Sequence, residues 1–166
     1  GNQRRTMPFK ASDGTEFQDR DAWRAYEFAL MYTFKDLSSP SPPTAHTKNI
    51  ASTSAYIKKD LSGQPFDMAD CKNMELLLLD NTDQVQIDNC EGCRIFVAAS
   101  SESVFVRDCK DCTFTLACKQ LRTRDCVNCT FYLYSKTEPI IETSTGMKFA
   151  PFNGAFEGHA AAMQRA

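Results

Sequence analysis

The sequence predicts an all-β fold, a parallel β-helix of about five coils, with a single helix near the N-terminus. Three observations carry that expectation: a recurring phrase, a near-constant spacing between its copies, and an apolar period of 2 on either side of each copy. The phrase reads Asp70-Cys71-Lys72-Asn73-Met74, Asn89-Cys90-Glu91-Gly92-Cys93, Asp108-Cys109-Lys110-Asp111-Cys112 and Asp125-Cys126-Val127-Asn128-Cys129, with a degenerate fifth copy, Thr143-Ser144-Thr145-Gly146-Met147. The starts lie 19, 19, 17 and 18 residues apart. So short a period marks a solenoid, whose repeats bury their apolar sides only by stacking on neighbours.

Taken from the N-terminus, residues 1–16 are polar and expected to be flexible. Residues 17–36 read as a helix capped by Asp19 or Asp21, with Trp23, Tyr26, Leu30 and Phe34 close to one face. Such a helix would cover an open solenoid edge; Phe28 and Met31 widen its stripe enough to make partner binding the alternative. Residues 38–54, rich in Ser and Pro, read as a linker. The β-helix is expected over 55–153, followed by a tail over 154–166. Within it, Phe66 and Met68, Val85 and Ile87, Val104 and Val106, and Leu121 and Thr123 point inward before each corner. Met74, Leu76 and Leu78, and their counterparts in later copies, do so after it. Two strands per coil, with room for a third, stack at about 4.7–4.9 Å. The Asp, Asn and Gly residues beside each cysteine supply the corners.

Three C-x-x-C pairs (Cys90/Cys93, Cys109/Cys112, Cys126/Cys129) have the spacing of zinc half-sites. Met74 and Met147 occupy the second-cysteine column in the outer copies and Ser144 the first, so these columns call for packing residues rather than thiolates. No metal site is expected. Column neighbours fall within disulfide reach. Without a signal peptide or long apolar run, however, free thiols in a reducing cytoplasm are expected.

With 19 basic and 21 acidic residues the net charge is −2, which argues against a nucleic-acid partner. No transmembrane segment is expected. Phosphate-binding glycine motifs are absent, and the two histidines, His46 and His159, lie outside the solenoid, so a built-in nucleophile–base pair is not expected. Chemistry falls to the outer surface. If Leu121 and Thr123 point in, Gln120, Arg122 and Arg124 point out, stacked on Ser103, Phe105 and Arg107 and followed by Ile140 and Glu142. Arg107, Arg124 and Glu142 fit an ion ladder between coils. Arg122 does not, because its column neighbours Phe105 and Ile140 carry no counter-charge; an unpaired Arg beside exposed apolar side chains is a candidate binding hot spot.

Leu116-Ala117-Cys118-Lys119-Gln120-Leu121-Arg122-Thr123-Arg124-Asp125-Cys126, with Pro139-Ile140-Ile141-Glu142 and Phe149-Ala150-Pro151-Phe152, closely resembles the tubulin-binding cofactor C domain family. The likeness runs from about Tyr56 to Phe152. Ser103 to Cys109 and Arg124-Asp125-Cys126 look most like the family's retinitis pigmentosa branch, which acts on Arf-like GTPases. Phe149 to Phe152 leans toward the cofactor C branch, which stimulates GTP hydrolysis by β-tubulin. The resemblance implies a right-handed β-helix and a GTPase-activating role in which Arg122 is an arginine finger supplied in trans, with Gln120 beside it. Phe105, Arg107, Arg124, Ile140 and Glu142 would form the docking face. It further implies a monomer without a cofactor of its own, GTP and magnesium being carried by an Arf-like small GTPase or by tubulin. The expected setting is the cytoplasm, cytoskeleton or basal body and cilium. The rival reading is a non-enzymatic scaffold or a tubulin- or actin-binding module, since related solenoids bind actin monomers. The chain lacks Met at its start, the kinase-like domain that follows the solenoid in one branch and the helical bundle that precedes it in the other. A fragment or pared-down member is therefore expected. Gly1 to Thr6 resembles a myristoylation start with its Thr one position late, and the Gly-Cys acylation start is missing.

Overall fold

A computed structural model describes residues 8–43 and 55–154. The chain divides into two compact units, Gly1–Thr33 and Phe34–Ala166. In the first, β1 (Phe9–Lys10) and β2 (Glu16–Phe17) form an antiparallel hairpin, and α1 spans Arg20–Met31. Asp19 caps α1, its carboxylate accepting from the Ala22 amide at 3.0 Å, while Asp21 lies in the first turn. Phe9 stacks on Trp23 at 5.5 Å and Phe17 packs on Tyr26 at 5.0 Å, so the hairpin and helix share an aromatic layer. Part of the expected flexible N-terminus is thus ordered structure; residues 1–7 lie outside the described set.

The helix is shorter than the expected 17–36. The Tyr32 amide closes back on the Ala29 carbonyl, and the β-branched Thr33 begins β3 (Thr33–Lys35). Phe34, expected on the helix face, is buried and packs edge-on against Phe66 at 5.0 Å. A one-face aromatic at that spacing suits a helix or a strand equally, and burial in the solenoid decides between them. The expected 38–54 linker is also curtailed. Ser38 bridges Lys72 in parallel, and the Ser39 amide donates to the Lys72 carbonyl at 3.0 Å, so both belong to a coil corner. Residues 44–54 and 155–166 fall outside the described set.

The second unit is a parallel β-solenoid. One sheet holds β3, β5 (Phe66–Ala69), β7 (Val85–Asp88), β9 (Ser103–Arg107), β11 (Gln120–Arg124) and β13 (Ile140–Glu142) in that order. The other holds β4 (Ala55–Lys58), β6 (Glu75–Thr82), β8 (Arg94–Ser100), β10 (Thr113–Cys118), β12 (Thr130–Ser135) and β14 (Lys148–Pro151). A third side is one residue wide, the bridged column Ser38, Lys72, Glu91, Lys110, Val127 and Thr145. Six rungs make five turns. The register reproduces the repeat: Glu75 faces Arg94, Arg94 faces Thr113, Thr113 faces Thr130 and Thr130 faces Lys148. The 17-residue step arises because β10 is one residue shorter than β8 and Lys119 alone joins β10 to β11, whereas Ser101 and Glu102 join β8 to β9.

Each coil turns twice through the left-handed region. Asp70, Asn89, Asp108 and Asp125, each just before a first-column cysteine, have φ of 51 to 57°; Asn73, Gly92, Asp111 and Asn128, just before the second column, have φ of 53 to 64°. Asx and Gly tolerate that conformation at least cost. Gly92 has a second reason, since a Cβ there would lie 2.3 Å from the Asn73 amide oxygen.

Every inward residue of the middle coils is buried, and Phe114 stacks on Phe131 at 4.7 Å, with Phe149 continuing the column at 5.3 Å. Each large core side chain contributes roughly 1.5–3 kcal/mol through burial. All eight cysteines are free and buried. Seven of them direct Sγ to the carbonyl two residues back at 3.3 to 3.5 Å, as Cys109 does to Arg107 and Cys112 to Lys110. Ser144 makes the same bond through its hydroxyl to Glu142 at 2.9 Å. The first column, Cys71, Cys90, Cys109, Cys126 and Ser144, therefore selects a small side chain with a donor, whereas the second also accepts the donorless Met74 as apolar filling. Cys109 is raised well above an ordinary thiol by bonding to the sulfurs of Cys112, Cys126 and Cys90 and then by burial. Cys118, outside this ladder, is pushed up to about 12 chiefly by burial.

All eight thiols should titrate as reduced in native mass spectrometry, and the melting temperature should not respond to chelators, because no metal contributes to folding. Cys112→Val should cost about 1 kcal/mol in denaturant unfolding, whereas Cys112→Asp, which buries a charge without a partner, should prevent the middle coils from forming. Stoichiometric zinc, or a melting temperature that collapses in chelator, would show the C-x-x-C pairs to be ligands.

Candidate functional site

Outward residues of β5 to β13 form straight columns because the strands are parallel and in register. Asp67, Gln86, Phe105, Arg122 and Ile140 make one; Ala69, Asp88, Arg107, Arg124 and Glu142 make the next. Ser103 and Gln120 begin a third. The expected pairings across β9, β11 and β13 are all present.

Phe105, Arg107, Arg122, Thr123, Arg124, Ile140 and Glu142 line a shallow depression of about 230 Å³. It thus gathers the expected arginine and its whole expected docking face. Gln120 lies outside the depression, half-buried, one outward step along β11 from Arg122, or about 6.6–6.8 Å at strand rise. A larger depression of about 480 Å³ on the other sheet, lined by Glu75, Arg94, Phe96, Thr113 and Tyr132 among others, contains none of the expected site residues.

The three arginines are not equivalent. Arg107 Nε donates to Asp88 Oδ1 at 2.7 Å, and its Nη2 donates to Asp88 Oδ2 at 3.2 Å and Gln86 Oε1 at 2.9 Å. That two-pronged arrangement fixes the guanidinium plane. Arg124 Nε lies 3.6 Å from Asp125 Oδ2, with both side chains about half exposed. The expected ladder from Arg124 to Glu142 is not formed: the neighbouring carboxylate on Arg124's own corner captures it instead. Arg122 is exposed and, among the described residues, has neither an ion pair nor a hydrogen bond from its side chain; its Cζ lies 5.9 Å from the Phe105 ring centroid. Glu142 is exposed and likewise unpaired among the described residues.

Sequence reasoning missed Asp88 and Gln86. The signal was present, since Asp88 stands 19 residues before Arg107 and Gln86 19 before Phe105, one repeat back in the same columns. The carboxyl of Asp67, further back, is raised from its ordinary range by burial first and then by Asp88, with Arg107 opposing. Inside the wall, the buried Thr123 hydroxyl has no hydrogen-bond partner among the described residues. Among the described residues, no three His, Cys, Asp or Glu side chains converge as a metal site would require.

The chain from residue 63 to 166, more than half its length and all of this site, matches the family described as Tubulin binding cofactor C. It belongs to that family. This cofactor C domain is 48% identical to Protein XRP2 of Danio rerio over 92 residues, 55% of this chain and 24% of that protein. It is 29% identical to tubulin-specific chaperone C of Bos taurus over 100 residues, 60% of this chain and 29% of the relative. With tubulin-folding cofactor C of Arabidopsis thaliana the figure is 27% over 93 residues, 56% of this chain and 27% of the relative. The chain therefore spans less than a third of each of these relatives. No helix among the described residues is long and apolar enough to cross a membrane.

Phe105→Ala and Glu142→Ala should each weaken association with a GTP-loaded partner by about 1–3 kcal/mol in titration calorimetry, if they anchor an interface. Normal binding by both variants would place docking on another face.

Proposed function

We propose that this cofactor C domain activates GTP hydrolysis in a partner, inserting Arg122 in trans. The observation that carries the reading is the state of Arg122: an exposed guanidinium on a rigid sheet, without a counter-charge among the described residues, beside an apolar ring in a concave patch. A cation spared from internal pairing is available for the charge that spreads over a transferring phosphoryl group, where an inserted arginine is worth about 10³–10⁵ in rate. A patch that delivers one arginine needs no nucleotide pocket; GTP and magnesium would be carried by the partner. Gln120, on the same strand and face, would help place the attacking water or the partner's own loop. Arg107 and Arg124, paired with Asp88 and Asp125, would present a rim of fixed hydrogen-bond donors, with Ile140 as its apolar floor and Glu142 selecting a basic group opposite.

Two partner classes fit. The relatives named tubulin-specific chaperone C and tubulin-folding cofactor C favour tubulin. The higher identity to Protein XRP2, together with the resemblance of Ser103 to Cys109 and Arg124 to Cys126 to the branch that acts on Arf-like GTPases, favours an Arf-like small GTPase, and we adopt that as the first choice. Action as a monomer in the cytoplasm, on the cytoskeleton or at the basal body and cilium accompanies this reading.

Single-turnover GTP hydrolysis by a panel of Arf-like GTPases and by tubulin, with and without the domain, tests it. Arg122→Ala and Arg122→Lys should both abolish stimulation while leaving binding nearly intact, because an ammonium cannot reproduce the planar fork. Full stimulation by the alanine variant would eliminate the inserted arginine; tight binding without any stimulation by the unmodified domain would establish the scaffold instead.

A further inference from the structure

The geometry points to Asp88 as a positioning residue for Arg122, acting through Arg107 and the Phe105 ring; the inference rests on Arg122 being the inserted arginine. Two guanidiniums share one aromatic side chain. Arg107 Cζ lies 5.8 Å from the Phe105 centroid and Arg122 Cζ 5.9 Å. Each is attracted by the ring, and each repels the other, because both carry a full positive charge. The arrangement places the inserted arginine only if one of the two is neutralised and immobilised.

Asp88 does both. Its two carboxylate oxygens hold Arg107 at 2.7 and 3.2 Å, and Gln86 takes the remaining Nη2 bond at 2.9 Å. Arg107 is 29% and Asp88 37% exposed, so this pair is less screened than the Arg124–Asp125 pair on the same face, where both side chains are about half exposed. With Arg107 tied to the preceding coil, both guanidiniums rest by the ring, but only that of Arg122 remains an unneutralised cation there. Gln86 cannot substitute, since an amide holds geometry but cancels no charge. Remove the Asp88 charge and Arg107 becomes a second free cation beside Phe105, competing for the ring and driving Arg122 away from it.

Columns explain why the relay falls where it does. Asp88 and Arg107 are direct register partners, as are Phe105 and Arg122. Arg107 and Phe105 are alternate residues of β9 and lie on its outer face. The path from Asp88 to Arg122 therefore crosses two coil boundaries through contacts that the parallel register fixes.

The test begins with the free domain and requires no partner. In nitrogen-15 spectra of arginine side chains, the Arg122 Nε–Hε signal should carry a ring-current shift and restricted motion that Phe105→Leu removes. Asp88→Asn, with backbone amide spectra confirming an intact solenoid, should move that signal toward the values of a free arginine. With the Arf-like GTPase that responds to the domain, Asp88→Asn should lower the saturated single-turnover rate by about 2- to 5-fold, the factor the ring contact is worth, while the half-saturating concentration stays nearly constant. Adding Arg107→Met to Asp88→Asn should restore most of the saturated rate, because it deletes the liberated cation, even where loss of a docking side chain raises the half-saturating concentration. An Arg122 signal unmoved by Asp88→Asn would overturn the assignment. So would a rise in half-saturating concentration at constant saturated rate, or a double variant no better than the single. If no GTPase responds to the unmodified domain, the activating role fails, yet the Arg122 signal still decides whether Asp88 positions it.

Discussion

Everything in this molecule depends on parallel strands stacked in register, and that stacking depends on corners that enter the left-handed region at the same two places in every coil. A corner of any other shape would advance or retard the next strand by a residue and turn its apolar side chains outward. Asp, Asn and Gly hold the backbone at these positions where most side chains cannot, Thr143 in the last coil being the exception. The cysteine that follows the first corner of four coils then returns a weak S–H bond to the carbonyl two residues back, and Ser144 shows the same bond made by oxygen. Corner and cysteine are one device repeated, and the functional face inherits its straight columns from it.

The solenoid was legible because its two periods are independent and agree. Alternation by 2 fixes which side chains face inward, and recurrence every 17 to 19 residues fixes which of them stack; together they give the register of Gln120, Arg122 and Arg124 on Ser103, Phe105 and Arg107. What remained hidden lies where pattern underdetermines energy. Phe34 satisfies a helical face as well as a strand, and only its burial against Phe66 separates the two. The donor role of the thiols depends on corner geometry, which composition does not report. Arg124 has a carboxylate one coil on and another next along the chain, and choosing Asp125 over Glu142 is a matter of rotamers rather than of columns. Asp88 was within reach of the repeat, one period behind Arg107 and two behind Arg124, but outside the three coils that carry Arg107, Arg122 and Glu142.

The same columns explain how an unpaired arginine is tolerated. Around it, each other arginine of the face is met by a carboxylate, Asp88 or Asp125, so repulsion across the patch is muted. Arg122 alone is set against a ring rather than an anion. An ion pair would cancel its charge and would have to be broken before the guanidinium could meet a phosphate.

Magnitudes decide whether such a hold is compatible with the proposed task. A cation beside an exposed ring gains about 0.5–1 kcal/mol, enough to bias a long side chain whose rotamer freedom is worth about 2 kcal/mol. An inserted arginine that accelerates phosphoryl transfer by about 10³–10⁵ stabilises the transition state by about 4–7 kcal/mol. The ring therefore orders Arg122 at rest without retaining it against the reaction, since what is lost on leaving Phe105 is a small fraction of what is gained. A carboxylate in the Phe105 position would invert that balance through its charge rather than its hold: an exposed pair is worth only about 0–1 kcal/mol, but the anion would stand where the phosphoryl oxygens must come. On this argument an aromatic residue, rather than Asp or Glu, is the side chain that a reusable arginine requires beside it.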